Sequence, residues 1–271
     1  MQVMSGLRQH QNVLRLLAYC VEGNERILVY EYMHRRSLDA YIFGKPKERA
    51  LLNWQMRLQI IKGIAEGVKH LYEGEGSSGS VIHRDLKPAN VLLDGGWKAK
   101  VADFGTAKLL LAGATGTRTR IGTPGYMAPE YVQSEGGETT LKCDVYSFGV
   151  TLLETLSGRR NCERPSLTSE LLQAWRLWVE RIITALLDSA VAPAPAGSEP
   201  PQLRRCIQIG LLCVQEKPDD RPSMPAVVEM LSNNSSKIAE PTVPMVDSRI
   251  LATFLEADLS RPTIYETIDL R

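Results

Sequence analysis

Acidic and amide side chains that could take part in catalysis occur in two short polar segments of the chain. The first is His83-Arg84-Asp85-Leu86-Lys87-Pro88-Ala89-Asn90, and the second, Asp103-Phe104-Gly105, begins thirteen residues after Asn90. A carboxylate can accept a proton, and carboxylate and amide oxygens are ligands that hard divalent cations prefer. Each residue alone also has an ordinary structural interpretation, since His83 could be a packed core histidine and Asp103 could cap a turn. The two segments therefore define a candidate site that must be judged from its context.

A third motif, Ala128-Pro129-Glu130, follows them, and with it the sequence resembles the protein kinases. Each motif fixes several positions, so their occurrence in this order by chance is remote. The resemblance implies transfer of the γ-phosphoryl group of ATP, in which the protein mainly orients a hydroxyl and neutralises charge. Asp85 would receive the substrate hydroxyl proton, and Lys87 would contact the transferring phosphate. Asn90 and Asp103 would hold Mg²⁺.

The resemblance extends to particular branches of the family. Lys87, two residues after Asp85 and followed by Pro88, resembles the serine/threonine-directed branch. Longer stretches resemble the cytoplasmic kinase of plant receptor-like kinases, of the S-domain and cysteine-rich receptor-like type, over roughly residues 1–231. They include Leu28-Val29-Tyr30-Glu31-Tyr32-Met33, Asp144-Val145-Tyr146-Ser147-Phe148-Gly149 and Leu211-Leu212-Cys213-Val214-Gln215. One departure is Cys143, where a serine would be usual.

The nucleotide-binding residues follow from the same resemblance. Backbone groups of Glu31 and Met33 would meet adenine in the hinge between the two kinase lobes. Tyr30 would be the gatekeeper, and Leu92 would form the floor of the adenine site. Without the downstream motifs, this stretch would be interpreted only as a buried strand.

Residues 113–123 resemble an activation loop, because four threonines lie there beside two arginines. The candidate phosphosites are Thr115, Thr117 and Thr119, and Arg84 could pair with a phosphate on this loop. Thr123 would instead position Asp85. A merely flexible, threonine-rich loop is the alternative. The residues that would support the geometry without reacting are His83, Arg84, Phe104, Thr123, Glu130, Asp144 and Arg221.

The elements that must position these residues can be predicted from local patterns. Residues 13–21 and 26–33 are apolar runs separated by a turn signal, which predicts a β-hairpin. Apolar spacing after Asn53 predicts an amphipathic helix that ends near Gly74. A second long helix, from about Thr140 to Ser157 with Gly158 as its stop, is apolar nearly all round and is expected to be buried. Further helices are predicted over residues 167–183, 202–215 and 225–231, with short strands at 81–82, 91–93 and 98–102.

The predicted fold class is α+β, a protein kinase-like fold with a mainly helical large lobe and a truncated small lobe. We expect residues 1–33 to be a remnant of the small lobe and hinge, residues 34–232 the large lobe, and residues 233–271 a C-terminal tail. The small lobe would consist of a helix end and two strands, which would leave a sheet edge and an apolar face exposed.

Three parts of the kinase pattern are not found before the predicted hairpin: the Gly-rich loop, the strand lysine and the helix glutamate. Residues 74–81 match the written form of a Gly-rich loop, but they follow a helix and end two residues before His83. Lys98 and Lys100 lie on the strand that enters Asp103 and cannot replace the strand lysine. The alternative function is therefore a catalytically impaired, kinase-derived interaction module. Against it, a long-inactive scaffold would have no chemical reason to retain Asp85, Asn90 and Asp103.

The composition of the chain indicates which kinds of partner and which cellular compartment to expect. The chain has 271 residues, 32 basic and 31 acidic, and its net charge of +1 does not argue for nucleic acid. Five cysteines without a CxxC pair indicate a reducing environment. No stretch is long and apolar enough for a membrane span. We expect a cytoplasmic protein that uses ATP and Mg²⁺ on Ser/Thr protein substrates and has partner receptor kinases, placed at the cytoplasmic face of the plasma membrane if it belongs to a receptor.

Overall fold

The computed structural model describes residues 9–73, 79–110, 121–133, 139–161, 170–191, 200 and 202–244. Within these ranges, the helices are α1 (Asp39–Ile42), α2 (Pro46–Arg49), α3 (Trp54–Tyr72), α4 (Pro129–Gln133), α5 (Leu141–Ser157), α6 (Glu170–Val179), α7 (Leu203–Cys213) and α8 (Met224–Ser232). The strands are β1 (Leu16–Glu22), β2 (Glu25–Tyr30), β3 (Ser80–Ile82), β4 (Val91–Leu93), β5 (Ala99–Val101) and β6 (Lys108–Leu110). Single 3₁₀ turns occur at Pro88–Asn90, Phe104–Thr106, Ile183–Leu186 and Pro218–Asp220. This helical body with few short strands confirms the predicted α+β class.

The predicted hairpin is present, with β1 and β2 antiparallel around a turn at Gly23. Its first strand begins at Leu16 rather than Val13, because the preceding residues pair elsewhere. Leu14 N donates to Val101 O at 2.8 Å, and Val101 N donates to Asn12 O at 2.9 Å. The side chains of both strands are largely exposed, and apolar residues on β1 and β2 are about half exposed. The hairpin thus exposes the apolar surface that the sequence predicted.

Helix α3 forms where its apolar spacing predicts it. Asn53 caps the helix by accepting a hydrogen bond from Met56 N at 3.0 Å, which satisfies one of the free N–H groups of the first turn. The predicted apolar positions of this helix are all buried. Because α3 packs against β5, α5 and α8, it forms one side of the main core.

Helix α5 is the buried axis of the helical body. Thr140 caps its start by accepting from Lys142 N, and Gly158 ends it with a left-handed φ of 66°. A side chain at position 158 would also meet the carboxylate of Asp188. Fifteen of its residues are buried, so the prediction of an all-round apolar helix is confirmed. Its neighbours are α3, α6 and α7.

Two small antiparallel sheets carry the candidate site. β3 pairs with β6, which places residues 83–84 beside residues 106–107, and β4 pairs with β5 in the register Val91↔Val101. The polar segment at 83–90 therefore connects one sheet to the other, and Asp103 follows β5. Helices α3, α5, α7 and α8 fit the predicted ranges within a few residues, and α6 is described from Glu170 onward. The short helices α1, α2 and α4 were not predicted.

The described tail runs without helix or strand from residue 233 to 244 along α7. Donors on α7 and just after it hold the backbone of the tail and of the end of α8. Arg205 donates to carbonyls of residues 230, 233, 234 and 236, while Gln208 and Gln215 donate to Ala239 O and Thr242 O. No helix in the described part of the chain has the length and apolar character needed to cross a bilayer.

Candidate active site

Asp85 lies at the centre of a compact network of polar side chains. Thr123 Oγ1 donates to Asp85 Oδ1 at 2.5 Å, and Lys87 Nζ donates to Asp85 Oδ2 at 2.9 Å. Lys87 Nζ also contacts Thr123 Oγ1 at 2.6 Å. The Asn90 amide nitrogen donates to Asp85 O at 2.8 Å and to Asp85 Oδ2 at 3.0 Å. The Asp85 side chain retains 11% of its exposure, so a small polar substrate group can still reach it.

The backbone around this network is held in an uncommon conformation. Arg84 and Asp103 both have left-handed backbone angles, with φ of 69° and 62°. Such a conformation costs roughly 1–3 kcal/mol for a residue with a side chain and persists only where neighbours fix it. At Arg84 the fixing group is Asp144, whose carboxylate accepts from His83 N at 2.6 Å and from Arg84 N at 2.9 Å. Burial raises the pKa of Asp144, and the hydrogen bonds from this backbone partly offset that effect.

Asp103 is brought beside Asn90 by the pairing of β4 and β5. Ala102 N donates to Asn90 O at 2.9 Å, and the side chain of Asp103 is exposed. His83 is fully buried, its Nε2 lies 2.8 Å from Ala102 O, and its ring contacts Phe104. His83 and Phe104 therefore pack beneath the site and fix the position of the residues on either side of Asp103.

This donor set fits a hard cation. Asn90 directs its amide nitrogen to Asp85, and no hydrogen bond among the described residues uses its Oδ1. Asp103 supplies a carboxylate whose one hydrogen bond among the described residues is a 3.3 Å contact from Gly105 N. Within the described ranges, no cluster of three His, Cys, Asp or Glu side chains forms a metal cage. Mg²⁺ is commonly held by one or two protein oxygens together with phosphate oxygens, so the oxygens of Asn90 and Asp103 are suited to it.

The segment after β2 combines a small apolar cluster with free backbone groups. Met33, Leu14 and Ala102 are buried together, and Tyr30 and Leu92 pack against them. Glu31 N donates to Arg15 O, whereas Glu31 O and Met33 N form no backbone hydrogen bond in the described residues. An apolar surface beside one free acceptor and one free donor is suited to the edge of a planar heterocycle.

The Glu31 side chain has a partner that the sequence did not predict. Its two carboxylate oxygens each lie 2.8 Å from Lys100 Nζ, and Oε1 also accepts from Arg15 N at 2.8 Å. Burial opposes ionisation, but these hydrogen bonds prevail and lower the pKa of Glu31. The contact joins the segment after β2 to β5, two elements that bracket the site.

The loop that carries Thr123 is anchored to α5 by a buried carboxylate. Glu154 is completely buried and accepts from Tyr126 OH at 2.8 Å and from Asn161 N at 2.7 Å. Ser147 Oγ donates to Tyr126 O at 2.7 Å. Burial raises the pKa of Glu154 to about 7, although the bonds from Asn161 and Tyr126 lower it. The loop next to Asp85 therefore depends on α5 for its position.

Glu130 and Arg221 join the end of that loop to the start of α8. Arg221 Nη1 and Nη2 donate to the two oxygens of Glu130 at 2.8 and 2.7 Å, which is a bidentate pair. Arg221 is 2% exposed and donates further to carbonyls of Gln215, Lys142 and Glu216. The pair holds α4 against the helical body.

Two cations lie at β6 and at the 3₁₀ turn that precedes it. Arg84 Nε donates to Thr106 O at 2.5 Å, and Arg84 has no carboxylate within ion-pair distance in the described residues. Lys108 Nζ is buried without a hydrogen-bond partner among those residues. The predicted phosphosites Thr115, Thr117 and Thr119 lie outside the described residues.

Sequence reasoning missed Glu154, Lys100 and Lys108. A signal for Glu154 was present, because a carboxylate inside a helix that is apolar all round must find buried donors. Lys100 and Lys108 lie on short strands, where a charged residue ordinarily faces solvent. Their partners depend on the pairing of segments far apart in the chain.

Most of the chain is similar to known proteins. The family model for the protein kinase domain matches residues 1–231. Cysteine-rich receptor-like protein kinase 6 of Arabidopsis thaliana is 42% identical over 262 residues, which cover 94% of this chain and 38% of that protein. Cysteine-rich receptor-like protein kinase 44 is 40% identical over 90% of this chain and 64% of its own length. G-type lectin S-receptor-like serine/threonine-protein kinase SD1-13 is 43% identical over 87% of this chain and 28% of its own length. The chain therefore spans between about a quarter and two thirds of the length of these three relatives.

Proposed function

The chain belongs to the protein kinase family, and from that membership we propose that it transfers the γ-phosphoryl group of ATP to serine or threonine hydroxyls of proteins. The observation that carries the proposal is the network around Asp85, in which Thr123, Lys87 and Asn90 converge on one carboxylate. No observation favours the alternative of a non-catalytic interaction module.

Each residue of the network around Asp85 has a separate role in the proposed reaction. Asp85 accepts the proton of the substrate hydroxyl, which increases the nucleophilicity of that oxygen as the new O–P bond forms and the bond from the γ-phosphorus to the bridging oxygen breaks, with ADP as the leaving group. Thr123 and Lys87 hold the Asp85 carboxylate in place from two sides, and Lys87 contributes positive charge close to the transferred group. Asn90 and Asp103 would hold Mg²⁺, which would supply positive charge to neutralise the phosphates.

The nucleotide base is placed by the segment after β2. Glu31 O and Met33 N are the backbone groups that pair with the adenine edge. Leu92 and Tyr30 provide the apolar surface beside it. The ion pair of Glu31 with Lys100 joins this segment to β5, which Asp103 follows. It therefore helps to hold the distance between the base and the metal site constant.

A phosphotransfer assay with Asp85→Asn tests the proposal. The 271-residue chain is incubated with Mg-ATP and a Ser/Thr-containing protein substrate, and incorporated phosphate is measured by residue type. Asp219→Asn is the matched control, because it makes the same chemical change at an exposed position. Asp85→Asn should lower the rate at least about 10²-fold, whereas Asp219→Asn should not change it. Equal incorporation by all three proteins, or phosphate on tyrosine only, would overturn the proposal.

Nucleotide binding is tested separately by thermal unfolding with and without Mg-ATP. At about 100 times the dissociation constant, the nucleotide should add about 2.7 kcal/mol, a shift of roughly 5–10 °C at 2–4 °C per kcal/mol. Asp103→Asn should abolish the metal-dependent part of the shift. A cooperative transition that ignores Mg-ATP would contradict the assigned nucleotide site.

We also propose that phosphorylation after β6 regulates this activity. Arg84 and Lys108 would bind a phosphate on Thr115, Thr117 or Thr119 and so link that phosphate to the segment that carries Asp85. Mass spectrometry of active protein should find phosphate on this segment. Arg84→Gln should remove the difference in rate between phosphorylated and dephosphorylated protein, and an unchanged difference would contradict the proposal.

The names of the relatives support a place in receptor-like signalling. We propose that this kinase domain acts at the cytoplasmic face of the plasma membrane, on protein substrates and beside partner receptor kinases. Cell fractionation of tagged full-length protein from plant tissue tests the location, and recovery of the protein in the soluble fraction alone would contradict it.

A further inference from the structure

A cleft of about 450 Å³ lies outside the catalytic network, between α3, the turn that joins β4 to β5, and the segment before Val13. We call it the α3 cleft. It is lined from α3 by residues such as Gln55, Gln59 and Lys62, and from the turn by Trp97 and Lys98. The cleft meets β5 at its first residue, whereas Asp103 follows the other end of that strand. At about 3.3 Å per residue the two positions lie roughly 13 Å apart along the strand.

The floor of the α3 cleft is rigid. Asn12 is 5% exposed, and its amide nitrogen donates to Ala99 O at 2.8 Å, a buried bond between segments 87 residues apart. Gly63 permits this close approach, since a Cβ at that position would lie 2.7 Å from Asn12 Nδ2. A ligand would therefore meet a preformed surface and would not have to order it.

Two lysines make the charge of the cleft positive. Lys98 Nζ contacts Gln11 Oε1 at 3.2 Å, and neither Lys98 nor Lys62 forms an ion pair with a carboxylate in the described ranges. The carboxylate that lines the cleft, Glu66, lies 3.7 Å from Lys69 Nζ, which also lies 3.6 Å from Glu73 Oε1 and is shared between the two carboxylates. The lining of the cleft therefore carries two ammonium groups and one carboxylate, which leaves a net positive charge.

An apolar surface lies beside these charges. Trp97 is half-buried, and its ring is held by the guanidinium of Arg35 at 3.9 Å and by the edge of Tyr41 at 5.0 Å. Met56 supplies a second, adaptable apolar contact. The exposed glutamine amides along α3 can each donate and accept, as peptide backbone groups do.

We propose that the α3 cleft binds an extended acidic peptide segment of a partner protein. Its carboxylates would pair with Lys62 and Lys98, and an apolar side chain between them would pack on Trp97 and Met56. A nucleic acid fits less well, because the lining offers two lysines, too few to follow a run of phosphates. The proposal goes beyond phosphotransfer and does not depend on it.

Fluorescence anisotropy tests the proposal with two labelled ten-residue probes. One probe alternates leucine and glutamate, and the other has lysine in place of each glutamate. The acidic probe should bind and the basic probe should not. Lys62→Glu combined with Lys98→Glu should weaken binding about tenfold or more, since each exposed ion pair contributes about two- to fivefold and reversal adds repulsion. High salt should weaken the complex as well.

The matched control is Lys47→Glu combined with Lys237→Glu, which makes the same change in charge at exposed lysines away from the cleft. It should leave the affinity within about twofold, and unchanged thermal unfolding of both double variants should show that they fold. The proposal is overturned if neither probe binds by about 1 mM, if both bind alike, or if the two double variants lose affinity equally. Tighter binding of a labelled oligouridine than of the acidic probe would also overturn it.

Discussion

Replacing Asp188 by asparagine should destabilise the helical body far more than breaking an exposed ion pair would. Asp188 Oδ2 lies 2.7 Å from Arg57 Nη2, and the two side chains are 1% and 0% exposed. Arg57 also donates to Leu52 O at 3.0 Å and to Thr155 O at 2.7 Å, so it joins α3 to the end of α5. The substitution keeps the shape of residue 188 and removes its charge.

The size of the effect follows from the environment of Arg57. Burial lowers the pKa of Arg57, and the Asp188 carboxylate opposes that change. Without the carboxylate, the buried guanidinium of Arg57 loses its main counter-charge. Removing one partner of a buried ion pair lowers the free energy of unfolding by roughly 3–5 kcal/mol. A domain of this size loses about 2–4 °C of melting temperature per kcal/mol. We therefore expect Asp188→Asn to lower the melting temperature by roughly 6–20 °C.

The control is Glu180→Gln. The distance from Arg176 Nε to Glu180 Oε1 is also 2.7 Å, but these side chains are 34% and 28% exposed. This pair should contribute less than about 1 kcal/mol, or at most about 4 °C. Differential scanning calorimetry at one scan rate compares the two variants. Equal losses would show that burial of the charge is not the cause, and the reasoning would be refuted.

Three further predictions concern the loop beside Asp85 and its supports. Glu154→Gln removes a carboxyl group whose pKa rises from 4.5 to about 7 on folding. Because the folded protein binds the proton more tightly, the free energy of unfolding of the wild type should fall as the pH rises from 5.5 to 8, by about 2 kcal/mol more than that of the variant. Denaturant unfolding at each pH measures this difference. An unchanged difference between the two proteins across that range would contradict it. Thr123→Val should lower the phosphotransfer rate about 10²-fold while Thr123→Ser keeps most of it, because only the hydroxyl orients Asp85; equal initial rates for the two variants would argue against that role. Glu130→Gln should leave the buried Arg221 without its carboxylate and cost roughly 3–5 kcal/mol in thermal unfolding, and a loss below about 1 kcal/mol would contradict the structural assignment.

The sequence predicted the elements whose causes are local. The Asn53 cap, the apolar face of α3 and the left-handed stop at Gly158 depend on residues within a few positions of one another, and all three are confirmed. The position of β1 was predicted less well, because residues 12–14 pair with β5 and not with β2. The pairing of residues 12–14 depends on a strand nearly ninety residues away in the sequence. Hydrophobic periodicity does not indicate which strands pair.

The same reasoning explains which parts of the candidate site could be anticipated. Asp85, Asn90 and Asp103 belong to short motifs whose carboxylate and amide side chains indicate proton acceptance and cation binding. Their supports are not local: Glu154 contacts Tyr126 across 28 positions, and Arg57 contacts Asp188 across 131. The sequence does not show the distant partner of a polar residue. It shows only that the polar residue occupies a position where the pattern predicts an apolar one. In both cases that signal was a charged residue at a buried position of a helix.

The left-handed backbone at Arg84 shows why these distant partners matter for activity. Its cost has to be balanced by contacts that would be lost if the segment relaxed. Asp144 supplies two of them, and it lies on α5 together with Ser147 and Glu154, which hold the neighbouring loop at Tyr126. One buried helix therefore fixes both the segment that carries Asp85 and the loop that carries Thr123. Because α5 has almost no exposed surface, the distance between these two segments can change only if the core itself repacks.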